Sequence, residues 1–102
     1  MPKETFPQEA AEIYDKAMED YDFKKVAELI DSVIKEQLPN AKEILEIGIG
    51  TGLLAQELIK FEYTVEGVDH STSMVKKARK RLSDTIKIHE VDIKNFSPEH
   101  KY

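Results

Sequence analysis

Glycines at positions 48, 50 and 52 lie in the stretch ILEIGIGTGLL (44–54), with a carboxylate two residues ahead, at Glu46. Two more carboxylates, Asp69 and Asp92, follow short apolar runs further along the chain, and His70 comes directly after the first of them. These residue types suit ligand binding more than bond cleavage. Glycine accepts backbone conformations that a Cβ resists and lets a ligand approach the main chain. A carboxylate accepts hydrogen bonds from paired hydroxyls such as those of a ribose. The apolar residues Ile44, Leu45, Ile47 and Ile49 precede the glycines, and Leu53, Leu54, Ala55, Leu58 and Phe61 follow at helical spacing, so the order is strand, tight turn, helix. A helix that starts there aims its free N–H groups at the turn. The spacing is GxGxG, with Leu53 where a dinucleotide fingerprint needs its third glycine, which disfavours a nicotinamide-binding half-domain.

Two further segments belong to the same pattern. Thr64-Val65-Glu66-Gly67-Val68 reads as a second strand that ends in Asp69, seventeen residues past Gly52, and is followed by His70, Ser71, Thr72, Ser73 and Met74 at the start of a helix. Ile86 to Asp92, IKIHEVD, reads as a third strand with an acidic tip. Taken separately, the glycines could form an ordinary strand-to-helix turn, and Asp92 could simply initiate a turn.

Together, Glu46-Ile-Gly48-Ile-Gly50-Thr-Gly52, Asp69 and Asp92 resemble the N-terminal, cofactor-binding half of the class I S-adenosylmethionine-dependent methyltransferases. The resemblance implies S-adenosylmethionine as cofactor and S-adenosylhomocysteine as product. It also implies roles: Glu46 orients the methionine moiety, Gly48, Gly50 and Gly52 admit it, Asp69 binds the ribose, His70 flanks the adenine and Asp92 faces its amino group, with Met74 counted among the cofactor-binding residues. A solvent-facing histidine is the alternative for His70. The family's sheet has seven strands, and its fourth carries much of the substrate machinery. The chain reaches Asn95–Tyr102 where that strand would begin, so the resemblance covers the first half of the fold and implies little turnover without the rest.

The elements that must hold these residues follow from periodicity. Residues 1–40 read as a helical cover and 41–102 as a Rossmann-like α/β half-domain, the two forming one structural unit. One helix is expected from Pro7 to about Tyr21, with Ala10, Ile13, Tyr14, Ala17, Met18 and Tyr21 on the packed side and Glu9, Glu12, Asp15 and Glu19 on the other. A second is expected from Phe23 to Leu38, packing Val26, Ala27, Leu29, Ile30, Val33, Ile34 and Leu38, and stopped by Pro39-Asn40. Tyr14 and Tyr21 are either core residues or, by the resemblance, part of a cover over the methionine end. Glu43–Ile49 is almost continuously apolar, as a central parallel strand would be, whereas 86–91 alternates like an edge. Right-handed crossovers through helices at about 53–61 and 72–82 give a parallel sheet of order 3-2-1 with all three strand tips on one side. Strand one then has a free edge, which is expected either to pair with a second copy in a homodimer or to belong to a longer protein.

Composition sets the outer bounds. The 102 residues suffice for one small domain, 40% hydrophobic and 34% charged, with a net charge of −5 and no cysteine. Disulfides and thiolate metal sites are excluded, and a cytoplasmic, reducing location is expected. No stretch has the length of a membrane span or the pattern of a secretory signal. The run Lys76-Lys77-Ala78-Arg79-Lys80-Arg81 reads as the solvated face of a helix that buries Met74, Val75, Ala78 and Leu82, and the negative total charge argues against a nucleic-acid partner. His89 and His100 read as solvated, and no metal-ligand spacing is present. No residue stands out as a catalytic base, and the methyl acceptor is not encoded in any of these motifs. The competing class is a non-catalytic interaction or assembly module that retains a vestigial cofactor loop.

Overall fold

The computed structural model describes residues 8–83 and 86–97. Helices α1 (Gln8–Ala17) and α2 (Phe23–Gln37) precede β1 (Glu43–Ile47), α3 (Leu53–Lys60), β2 (Thr64–Asp69), α4 (Thr72–Leu82), β3 (Lys87–Glu90) and a 3₁₀ turn at Ile93–Asn95. The expected helix from Pro7 to Tyr21 is shorter at its C-terminal end. Acidic residues at a helix C-terminus oppose its dipole, and Glu19-Asp20-Tyr21-Asp22 instead makes a turn in which Tyr21 N–H donates to the Met18 carbonyl (2.9 Å). Asp22 then caps α2, its carboxylate accepting from the Lys25 N–H at 2.9 Å.

The three strands form one parallel sheet in the order β1-β2-β3, the expected 3-2-1 arrangement. Ile47 lies opposite Val68, and Asp69 opposite Glu90, so the strand tips that carry the candidate residues share one side of the sheet. β1 stops at Ile47, two residues before the expected Ile49, because Gly48 turns the chain at φ +75°. β3 is also shorter than 86–92.

Val65 and Ile88 on the sheet pack with Ala55 and Leu58 of α3 and with Val75, Ala78 and Leu82 of α4, forming the core. Ala27, Ile30 and Ile34 bring α2 against it. A buried polar contact fixes the same helix: the Tyr63 hydroxyl donates to Asp31 at 2.6 Å, and Lys35 pairs with the other carboxylate oxygen at 3.0 Å. These bonds hold the Asp31 carboxyl below the usual carboxylate range, and the bond to Asp31 pushes the Tyr63 phenol up to about 12.

The packed sides of the first two helices differ from expectation. Leu29 (65% exposed), Val33 (51%) and Leu38 (64%) face away from α3, because the contact of α2 runs through Ala27, Ile30, Asp31 and Ile34. On α1, Ala11 is buried while Ile13 is 67% exposed and Asp15 faces inward. The helix rotates toward the polar partners that Asp15 finds on the loop after β1 and on α4. Tyr21 is at the surface, its ring 4.7 Å from that of Phe23.

Ile49, from the glycine-rich loop, lies across β2 at Gly67. A Cβ at position 67 would come within 3.1 Å of the Ile49 Cβ and collide with its side-chain end. Gly67→Ala should therefore destabilise the fold by about 1–3 kcal/mol through overpacking, read as a lower melting temperature in thermal denaturation; an unchanged melting temperature would show that Ile49 repacks without cost.

Candidate functional site

The loop from Gly48 to Gly52 leaves β1 through left-handed backbone at Gly48, Gly50 and Gly52, with φ of +75°, +59° and +86°. Side chains at Gly48 and Gly50 would meet nothing within 4 Å, so there the loop faces open space, whereas one at Gly52 would meet Leu82 at 2.9 Å. The first two glycines thus expose main chain, and the third permits close packing of α4. Gly48 and Ile49 N–H groups both donate to the Val68 carbonyl, at 2.7 and 3.1 Å, which ties the loop to the end of β2.

Asp69 joins the two halves of the site. One carboxylate oxygen accepts from the Gly50 N–H and the other from the Ser71 N–H, each at 2.9 Å. Ser71 in turn caps α4 by accepting from the Met74 N–H at 3.3 Å. A carboxylate has about four acceptor positions, so Asp69 keeps capacity for ligand hydroxyls while it holds the loop. An open cavity of ≈ 300 Å³ lies beside it, lined by Gly48, Asp69, His70 and Asp92 and walled by Ile47, Val68, Val91 and Ile93. Asp92 also caps the 3₁₀ turn, accepting from the Lys94 N–H at 2.9 Å, so its turn-forming and cavity-lining readings both apply. His70 is exposed at the rim.

Glu46 is on β1, in register with Gly67 of β2, and its Oε1 is buried without a hydrogen-bond partner among the described residues. Burial pushes its carboxyl from the ordinary 4.5 up to about 7. Tyr14 of α1 is half-buried nearby; burial, followed by the negative charges of Asp15, Glu46 and Asp69, raises its pKa. Among the described residues, no cation is paired with the Glu46 carboxyl.

Periodicity hid a second set of contacts. Asp15 accepts from the Thr51 hydroxyl at 2.6 Å and from Arg81 at 2.9 Å, with Lys77 at 3.4 Å. Arg81 also donates to the Thr51 carbonyl at 3.0 Å. Arg79 donates to the Ile88 carbonyl at 3.0 Å. The basic run of α4 is thus partly structural, not simply solvated, and Asp15 belongs to the packed side of α1. The only signal available in the sequence was the excess of charge itself, because nothing in helical spacing pairs residue 15 with residue 81.

The structure brings Gly48, Asp69, His70 and Asp92 to one cavity, with Glu46 set back beside the glycine loop. Gly50 supports that arrangement through Asp69. Met74 is buried in packing and is not among the cavity-lining residues. His89 is half-buried, paired with Glu66 and packed against the tilted ring of Phe96 with ring centroids 4.8 Å apart, so it is not simply solvated as expected. His100 lies outside the described residues. Ile47 and Ile93, the apolar walls, were not picked out as site residues because apolar strand-end positions read as core.

Comparison with known proteins points the same way. The family described as "Methyltransferase domain" matches residues 44–102. An uncharacterized methyltransferase of Geobacillus sp. (strain WCH70) is 34% identical over 92 residues, which cover 87% of this chain and 43% of that protein. Streptomyces venezuelae DesVI superposes with a TM-score of 0.80 at 28% identity, covering 90% of this chain and 39% of that one. A S-adenosylmethionine-dependent methyltransferase from Clostridium acetobutylicum ATCC 824 gives a TM-score of 0.74 at 26% identity, covering 92% and 40%. The chain thus spans about two fifths of the length of these relatives. With its GxGxG loop, its acidic strand tips and its 3-2-1 parallel sheet, the chain belongs to the methyltransferase-domain family and has the Rossmann-like fold of the class I S-adenosylmethionine-dependent enzymes.

Proposed function

We propose that this chain is the S-adenosylmethionine-binding part of a methyltransferase, and that turnover requires acceptor-binding surface supplied from outside the described elements. The observation that carries this reading is Glu46: a buried carboxylate oxygen without a partner, beside a glycine loop that leaves its main chain open. The amino-acid end of the cofactor carries an ammonium, which supplies the missing cation and hydrogen bonds. The Asp69 carboxylate has spare acceptor capacity for ribose hydroxyls, and the apolar walls Ile47, Val68, Val91 and Ile93 suit a flat base, with Asp92 and His70 at its edge.

When bound, the cofactor supplies a sulfonium methyl group open to in-line displacement. The chain's own work is orientation. Gly48 and Gly50 admit the ligand to the backbone, Glu46 fixes the amino-acid end, and Asp69 fixes the ribose without giving up its hold on Gly50. Met74 supports α4 from within the core.

Two features support completion by further polypeptide. β1 is at the sheet edge with Ile47 59% exposed, and α2 presents Leu29 and Val33 to solvent. An apolar strand edge recruits a pairing strand, either from a second copy of this chain or from additional chain such as the longer relatives possess. A cytoplasmic location belongs to the same proposal; among the described residues no helix is long and apolar enough to cross a membrane. The net charge of −5 supports a partner other than nucleic acid.

Calorimetric titration should give saturable binding of S-adenosylhomocysteine. Asp69→Ala, checked for folding by circular dichroism, should weaken it by about 1–3 kcal/mol. No binding by folded wild-type chain would favour the assembly-module reading, and unchanged affinity in the variant would remove Asp69 from the ribose site.

Glu46 makes a separate pH prediction. Its folded pKa is raised above that of the unfolded chain, so its contribution to stability is fully present below about pH 4.5 and is lost as pH rises through about 7. The loss approaches roughly 3 kcal/mol, and Glu46→Gln should remove that slope from the pH dependence of unfolding. A cationic ligand reverses the preference, so S-adenosylhomocysteine should bind roughly tenfold more tightly at about pH 7.5 than at about pH 5.5 in the wild type. The Gln variant should be flat, and the same pH slope in both proteins would assign it to another group.

A further inference from the structure

α1 has little apolar reason to stay where it is. It is ten residues long, too short for independent stability, and its most deeply buried described side chain is Ala11, while Ile13 is left at the surface. What it does possess is Asp15. The carboxylate takes the Thr51 hydroxyl on one oxygen, and Arg81 and Lys77 on the other. Thr51 is fully buried between Gly50 and Gly52, and Arg81 holds its carbonyl as well.

We propose that Asp15 is a positioning residue: it latches α1 to the glycine loop through Thr51 and to α4 through Arg81, and so sets Tyr14 over the amino-acid end of the cofactor site. The proposal rests on the cofactor reading above. Tyr14 directly precedes Asp15, whose carboxylate bonds to Thr51 inside the glycine loop, so the same latch keeps the half-buried Tyr14 beside that loop, where the charges of Glu46 and Asp69 reach it. Among the described residues, none of α1 lines the cavity of Asp69, His70 and Asp92, where the cofactor reading puts the nucleoside. Releasing the latch therefore affects one end of the ligand and spares the other.

The test uses Asp15→Ala, Thr51→Val and the double variant of the full chain, with Thr51→Ser as the conservative control. Hydrogen exchange without ligand should show α1 amides losing protection in Asp15→Ala and Thr51→Val while the sheet amides keep theirs. S-adenosylhomocysteine should bind about tenfold more weakly to both, the double variant should be little worse than either, and Thr51→Ser should restore affinity. 5′-Methylthioadenosine, which has the nucleoside without the amino acid, should change by less than about twofold. Retained α1 protection would overturn the latch. Equal weakening of both ligands, or loss of α1 protection with unchanged S-adenosylhomocysteine affinity, would overturn its role in positioning. Failure of the wild type to bind S-adenosylhomocysteine would instead overturn the cofactor reading and the positioning with it, while exchange of α1 still decided the latch.

Discussion

The site depends on one carboxylate bridging two backbone N–H groups. Asp69 receives Gly50 on one oxygen and Ser71 on the other, so the loop after β1 and the start of α4 are held by the same side chain. Packing alone leaves the backbone N–H groups of both segments without acceptors. The loop passes through three left-handed residues and makes few regular bonds, and the N–H groups at a helix start lack intrahelical acceptors. One buried-edge anion satisfies both. Because β2 delivers Asp69 at the sheet's C-terminal margin, the parallel register becomes a constraint on the loop and not merely on the strands.

Gly67 and Ile49 provide the matching apolar constraint. The loop would lift from the sheet if polar bonds alone held it, but Ile49 is buried against the bare backbone of Gly67 and takes part in the core. Sequence and packing agree here in an instructive way. Four glycines occur in the whole chain; three give the loop its turn conformation, and the fourth clears space for that loop on the neighbouring strand.

This explains which parts of the structure were legible beforehand. Strand tips, glycine turn and crossover helices announce themselves through local pattern, since period and turn chemistry act over a few residues. The sheet order followed from handedness and from the contrast between Glu43–Ile49 and the alternating Ile86–Val91. The orientation of α1 did not follow, because it is set by Asp15 meeting Thr51 and Arg81, partners 36 and 66 residues away. The exposure of Leu29 and Val33 is not legible in the sequence for a related reason: periodicity reports that a face is apolar, not which element covers it. His89 looked solvated because its partners Glu66 and Phe96 come from another strand and from the segment after β3.

Glu46 shows why a site can look like an error of folding. A buried, unpartnered carboxyl group inside a strand costs stability once it ionises, and the cations Arg81 and Lys77 are paired with Asp15 instead. A purely structural design would send one of those cations to Glu46 or replace the residue with an apolar one. The cations instead hold α1 through Asp15, and Glu46 is left two residues before the open Gly48. On the proposed function, that division separates the charges that keep the loop and α1 in shape from a carboxyl kept for the ligand's ammonium, the arrangement expected where local stability is given up for binding.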